Sequence, residues 1–244
     1  MRALIIKEVN AFLNSLIGYI VLIVFLLTLG LFLWVFKDSS FNIPESGHAQ
    51  LDPLFSLTPW MYLFLIPAIT MRLFSEEKKA GTLELLLTRP LTEMQVVVAK
   101  YLAGVVLVIF SLLPTLVYYL VIYQTSLPVG NVDTGAVLGS YIGLALLGAC
   151  FVAMGVFASS MADNQVVSFI VSFFLCLFLF KGLDSLAALS GIGKSSTILY
   201  GLGINAHYLS ISRGVVDTRD LVYFLSVIAL FLFLTRTVIE SRKW

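Results

Sequence analysis

Apolar residues in this chain run on for whole membrane thicknesses, separated by polar intervals. A bilayer core about 30 Å thick needs roughly 20 apolar residues in a helix. Six stretches meet or approach that length: Ser15–Phe36, Pro53–Leu73, Thr92–Ile122, Thr134–Met161, Val166–Leu183 and Leu221–Ile239. The pattern predicts an all-α polytopic membrane protein of six transmembrane helices, a single domain over residues 1–244. Several starts are written in side chains. Thr92 followed by Gln95 fits a capping box, and Glu93 sits in the first turn, where the helix dipole favours it. Asp217 or Thr218 can cap the last span. Pro114 inside the third span predicts a kink.

Composition agrees. The chain is 59% hydrophobic and 12% charged, with a mean hydropathy of +1.00, too apolar for a soluble domain of 244 residues. A net charge of +1 gives no nucleic-acid surface. Cys150 and Cys176 each fall in mid-span and read as buried thiols without metal-ligand spacing. Arg2 and Lys7 precede an apolar run that is too long for a signal peptide and lacks a small-residue cleavage site, so it reads as a retained helix. Six crossings return both ends to one side. Ten basic residues then share the side of the termini (Arg2, Lys7, Arg72, Lys78, Lys79, Arg89, Lys100, Arg236, Arg242, Lys243), against five on the other (Lys37, Lys181, Lys194, Arg213, Arg219). The positive-inside rule places the termini in the cytoplasm. The outer loops are short except for residues 184–220, where short helices dipping into the interface would suit Leu186, Leu189, Leu199, Leu202 and Leu209.

The middle of every predicted span has no Asp, Glu, Lys, Arg or His. Proton relays, ion sites and intramembrane catalysis require such groups, so the chain carries no catalytic, metal or cofactor residue of its own and any drive must come from another protein. Ala188–Ser195 resembles a phosphate-binding loop, but no strand precedes it, and it reads as chance. Gly135, Gly139 and Gly143 lie four residues apart on one face of the fourth span, a flat strip for close helix packing. Its occupant is either this chain or a second subunit.

Charge gathers between the second and third spans, in Arg72 through Pro90. Gly81 and Pro90 should break a short interfacial elbow there. Glu76, Glu77 and Glu84 are out of place beside anionic lipid headgroups, where anchoring segments prefer Lys and Arg, and make better sense facing a protein. The spacing Glu76–Glu77–x–x–x–Gly81–Thr82–Leu83–Glu84–Leu85–Leu86–x–x–x–Pro90, followed by Lys100, resembles the cytoplasmic loop of ABC-2 type permeases, most nearly the gliding-motility-associated permease subunit (the Gld type). Ile66–Pro67–Ala68–Ile69–Thr70–Met71–Arg72, Ser159–Ser160 with Asn164–Gln165, and Arg213–Gly214–Val215–Val216–Asp217–Thr218–Arg219–Asp220 extend the likeness along nearly the whole chain.

That resemblance implies the six-helix half of a type V exporter-like ABC transporter in the inner membrane. It implies a cytoplasmic ABC ATPase dimer that holds the ATP and Mg, and a second permease subunit bearing a large extracytoplasmic domain. The coupling loop, about 72–91, would seat in the ATPase through Glu76, Glu77, Gly81, Thr82, Glu84 and Pro90. On the outer surface, Arg213, Asp217, Arg219 and Asp220 alternate in sign. They form either a salt-bridge knot with a helix cap or a contact for an extracytoplasmic partner. A non-transporting membrane scaffold is the rival reading of the whole chain.

Overall fold

The computed structural model describes residues 1–37, 39–82, 92–189, 199–215 and 217–241. Among these the chain is all-helical. Helix α1 (Arg2–Leu13) is separate from the first span, because Ser15 caps a new helix, α2 (Leu16–Gly30), by accepting from the Gly18 amide at 3.0 Å. The sequence pattern had the first span beginning at Ser15 but no separate helix before it. The first span ends in a π-turn, Leu31–Val35, and a short α3 (Ile43–Ser46) follows. The second span is α4 (Asp52–Thr70), which turns at residues 71–74 into α5 (Ser75–Lys79). The third span is α6 (Glu93–Leu112), a 3-10 turn at Leu113–Thr115, and α7 (Leu116–Thr125). Its Thr92–Gln95 capping box is present, and Pro114 sits in the 3-10 turn that interrupts the span.

The fourth span is α8 (Thr134–Met161) and the fifth is α9 (Gln165–Leu177), continued by a π-turn, Phe178–Gly182, and α10 (Leu183–Leu189). After a helical turn at 199–202 come α11 (Ile204–Ile211) and the sixth span, α12 (Thr218–Glu240), capped by Asp217. All six spans are long and apolar enough to cross a membrane.

Two spans form the centre. The apolar windows of α4 and α8 are 72% buried, against 22–33% in the other four. Helix α8 touches α4, α6, α9, α11 and α12. Lipid tails are as apolar as leucine, so helices in a bilayer associate by close packing at small residues. The small residues of α8 do this on two faces. A methyl group on Gly155 would lie 2.1 Å from Thr70 Oγ1, and one on Gly148 would lie 2.7 Å from Val108. Those glycines admit the second and third spans.

The strip at Gly135, Gly139 and Gly143 faces elsewhere. Gly139 meets the Gly214 backbone, where a Cβ would come within 2.5 Å, and Gly143 meets Ile211 at 2.8 Å. Among the described residues a Cβ on Gly135 would meet only Asp133, at 3.4 Å. At Gly139 and Gly143 this face is filled from within the chain, by α11 and the turn after it. Helix α11 buries Ile204, Asn205, Tyr208 and Ile211; of the residues the sequence suggested for contact with the interface, Leu186, Leu189, Leu202 and Leu209 are exposed and Leu199 is half-buried.

One hydrogen bond explains why α11 sits there. Pro59 lies inside α4 and has no N–H to give to the carbonyl four residues back, at Phe55. Tyr208 donates its hydroxyl to that Phe55 oxygen at 2.5 Å. An acceptor stranded by proline is thus satisfied from a helix about 150 residues downstream.

Candidate functional site

The elbow at residues 71–82 is anchored at its base and open at its tip. At the base, Ser159 near the end of α8 accepts from the amides of Phe74 at 3.0 Å and Ser75 at 3.2 Å, and donates to the Met71 carbonyl at 3.2 Å. These amides and carbonyls are the ones that a helix end leaves without partners. Lys78 donates to the Ser160 carbonyl and lies 3.7 Å from Asp163, so the elbow is tied twice to the α8–α9 corner.

A buried charge cluster holds the other side. Lys100 on α6 is 0% exposed. Its ammonium lies 3.0 Å from Glu8 Oε1, 2.9 Å from Glu77 Oε2 and 2.5 Å from the Leu73 carbonyl, with the Phe74 ring 5.0 Å away. Lys7 closes the ring, 3.4 Å from Glu8 and 3.0 Å from Glu77. Burial alone would lower the Lys7 pKa, but hydrogen bonding and proximity to Glu77 and Glu8 raise it above the usual lysine value. Two acids and two bases leave no net charge in the cluster, the condition under which ionised groups tolerate burial.

This arrangement revises the reading of Glu77. The sequence suggested an outward carboxylate for a partner's groove. The structure turns it inward, to Lys100 and Lys7, because α1 packs on α6 and brings both lysines to it. Lys100 is likewise no rim residue, since it lies seven positions inside α6, about 10 Å along the helix at 1.5 Å per residue. Both it and Glu8 carried a signal. Leu4, Glu8 and Phe12 share one helical face, and Lys100 falls among Val96, Val97, Ala103, Gly104 and Leu107, all buried. A charge on an apolar stripe marks an inward position.

What the elbow leaves exposed is Glu76, Lys79, Ala80, Gly81 and Thr82. Glu76 pairs with Arg72 at 3.0 Å, one turn back on the same surface. The tip is shaped by Gly81. With φ +66 it occupies the left-handed region, the Gly81 amide reaches the Lys78 carbonyl at 3.0 Å, and the Thr82 amide reaches the Glu77 carbonyl at 2.9 Å. This is a Schellman cap, in which glycine avoids the Cβ penalty. Glu84 and Pro90 lie outside the described residues.

At the far end of the bundle the four alternating charges separate. Asp217 accepts from the Arg219 amide at 3.0 Å, and that bond holds its carboxyl below the usual aspartate pKa. Asp220 is buried, and its partner is His207 Nδ1 at 2.7 Å; His207 Nε2 faces the Gly201 carbonyl at 2.9 Å and its ring stacks on Tyr223 at 3.8 Å. Arg213 and Arg219 are exposed. Among the described residues the Asp220 carboxyl meets His207, not an arginine. Arg213 lines an open cleft of about 410 Å³ with Asp52 and Asp133. The phosphate-loop-like segment lies outside the described residues beyond Leu189.

Fold and site together define a polytopic helical membrane protein that presents one braced polar elbow at the end holding both termini. Residues 2–243 match the family described as ABC-2 family transporter protein. The chain belongs to that family: it is a transmembrane permease subunit, of the kind that partners an ABC ATPase and is generally without catalysis of its own. No curated protein matches the sequence.

Proposed function

We propose that this subunit converts ATP hydrolysis in a partner ATPase, which holds the ATP and Mg, into movement of its spans. The elbow at residues 72–82, together with Glu84 and Pro90 beyond it, is the docking element. The supporting observation is the contrast within the elbow: Glu76 and Lys79–Thr82 are open, while the base is bonded to α1, α6 and α8. A stiff base is what a mechanical input requires, since a soft one would absorb the displacement.

In this reading the elbow and both termini are cytoplasmic, in accord with the excess of basic residues on that side, and the membrane is the inner membrane. The transporter is an exporter of the gliding-motility type, whose second permease subunit carries a large extracytoplasmic domain. The residue pattern from Arg213 to Asp220 supports that branch.

Glu77 belongs to the internal cluster, so the test uses the exposed tip. The variant Glu76→Ala/Lys79→Ala should fold normally, because exposed pairs contribute only about 0–1 kcal/mol each. It should lose the ATPase in a pull-down from native membranes, or lose stimulation of the ATPase rate in the assembled complex. An unchanged rate with the ATPase retained would reduce the chain to a scaffold.

A further inference from the structure

We propose that Lys100 and Glu8 are positioning residues that join α1, the elbow and the third span into one rigid body. A displacement of the elbow then reaches the first span through α1, besides reaching the second span directly. The inference rests on the elbow being the ATPase's docking element.

A lysine ammonium has three donors. Lys100 donates to Glu8 on α1 and to the Leu73 carbonyl at the exit of the second span, and its ammonium is ion-paired with Glu77 Oε2 on the elbow at 2.9 Å. The Glu8 and Glu77 side chains are only 11% and 13% exposed, so water cannot replace a lost partner. Moving α1 away from the elbow would strand a buried charge, which costs far more than the same separation at a surface. Each acid also bridges both bases, so no single contact opens alone.

The joint between α1 and the first span has no slack. Only Asn14 and Ser15 separate the two helices. The Ser15 hydroxyl donates to the Phe12 carbonyl at 2.8 Å while accepting from the Gly18 amide. A Cβ on Gly18 would lie 2.3 Å from that same Phe12 oxygen, so the backbones are in contact at the corner. Motion of α1 therefore passes to the first span with little loss.

The test measures distances between spin labels in the complex purified from native membranes with its co-purifying ATPase. One pair is placed at the exposed positions Asn10→Cys on α1 and Ala80→Cys on the elbow. A reference pair is placed at Ala80→Cys and Ser241→Cys. Cys150 and Cys176 are buried and do not compete for label. Between the nucleotide-free and vanadate-trapped states, the Asn10–Ala80 distance should stay fixed while the Ala80–Ser241 distance changes. An Asn10–Ala80 distance that shifts as far as the reference pair overturns the inference.

A Lys100→Met variant should still bind the ATPase through the exposed tip. It should release the Asn10–Ala80 constraint and reduce stimulated ATPase turnover roughly tenfold, equivalent to about 1.4 kcal/mol of barrier. If Lys100→Met keeps both the fixed distance and full turnover, the positioning role is wrong. An ATPase that docks while α1 and the elbow separate defeats this inference alone. An ATPase that never co-purifies with the native chain defeats the docking reading and this inference with it.

Discussion

The two ends of the bundle solve the same problem with different chemistry. At each, the second span leaves a backbone carbonyl without a helical partner: Leu73 where the helix has ended, and Phe55 where Pro59 interrupts it. At the elbow end a buried ammonium takes the carbonyl, and two carboxylates must accompany it. At the far end a neutral phenol does so, and nothing else is needed. The neutral solution ties one helix to one helix. The charged one binds three segments at once, and it fails badly if any member is removed. A protein that must keep a small exposed element in register with several helices gains from the second design, whereas a lid over the opposite end needs only the first.

That contrast can be broken by mutation, and the largest effect belongs to the charged end. Lys100→Met leaves Glu8 and Glu77 facing each other with only Lys7 to share, and should cost about 3–5 kcal/mol. Unfolding with SDS in mixed micelles would register it. Losing little there would mean that the cluster is hydrated and the contrast is false. Next is Gly155→Ala, which forces a methyl group into Thr70 at the centre of the bundle and should cost about 1–3 kcal/mol by overpacking. The same assay reads it, and a larger pair such as Gly155→Val should be worse.

Tyr208→Phe sharpens the comparison, because it removes only a hydroxyl and strands only the Phe55 carbonyl. Its expected cost is about 1–3 kcal/mol, below that of Lys100→Met, with faster hydrogen exchange in α11 as its local signature. The smallest effect is at the Asp217 cap. Its pKa is lowered in the folded chain, so its contribution is present above the ordinary aspartate pKa and is lost as pH falls through the lowered value. Asp217→Ala should fray the first turn of α12, leave the rest of the bundle unchanged, and abolish that acid dependence.

The spans were legible because a membrane crossing needs only length and apolarity, which Thr134–Met161 declares in 28 residues without a charge. The caps at Thr92 and Asp217 were legible because their signals lie within three positions of each other. Contacts between distant segments were not. Glu8 and Lys100 are 92 residues apart, and nothing local to either names the other. Glu77 was read outward because a carboxylate in a loop ordinarily faces water, and only the docking of α1 reverses that. The glycine strip on α8 announced close packing without naming its occupant, since a flat face fits a neighbouring chain as well as α11. Gly148 and Gly155, which admit the second and third spans, stand seven residues apart and so fall outside a spacing of four. Asp220 was grouped with the arginines by proximity in sequence, although its partner is the histidine 13 positions earlier.

Ser159 sets an order of events during biosynthesis. Its one hydroxyl completes the corner between the second span and the elbow, yet it lies 84 and 85 residues downstream of the two amides that it accepts from. While a ribosome is still producing the third span, that corner has no hydroxyl to close on and its amides remain with water. The corner under the elbow therefore closes only after the fourth span has been made.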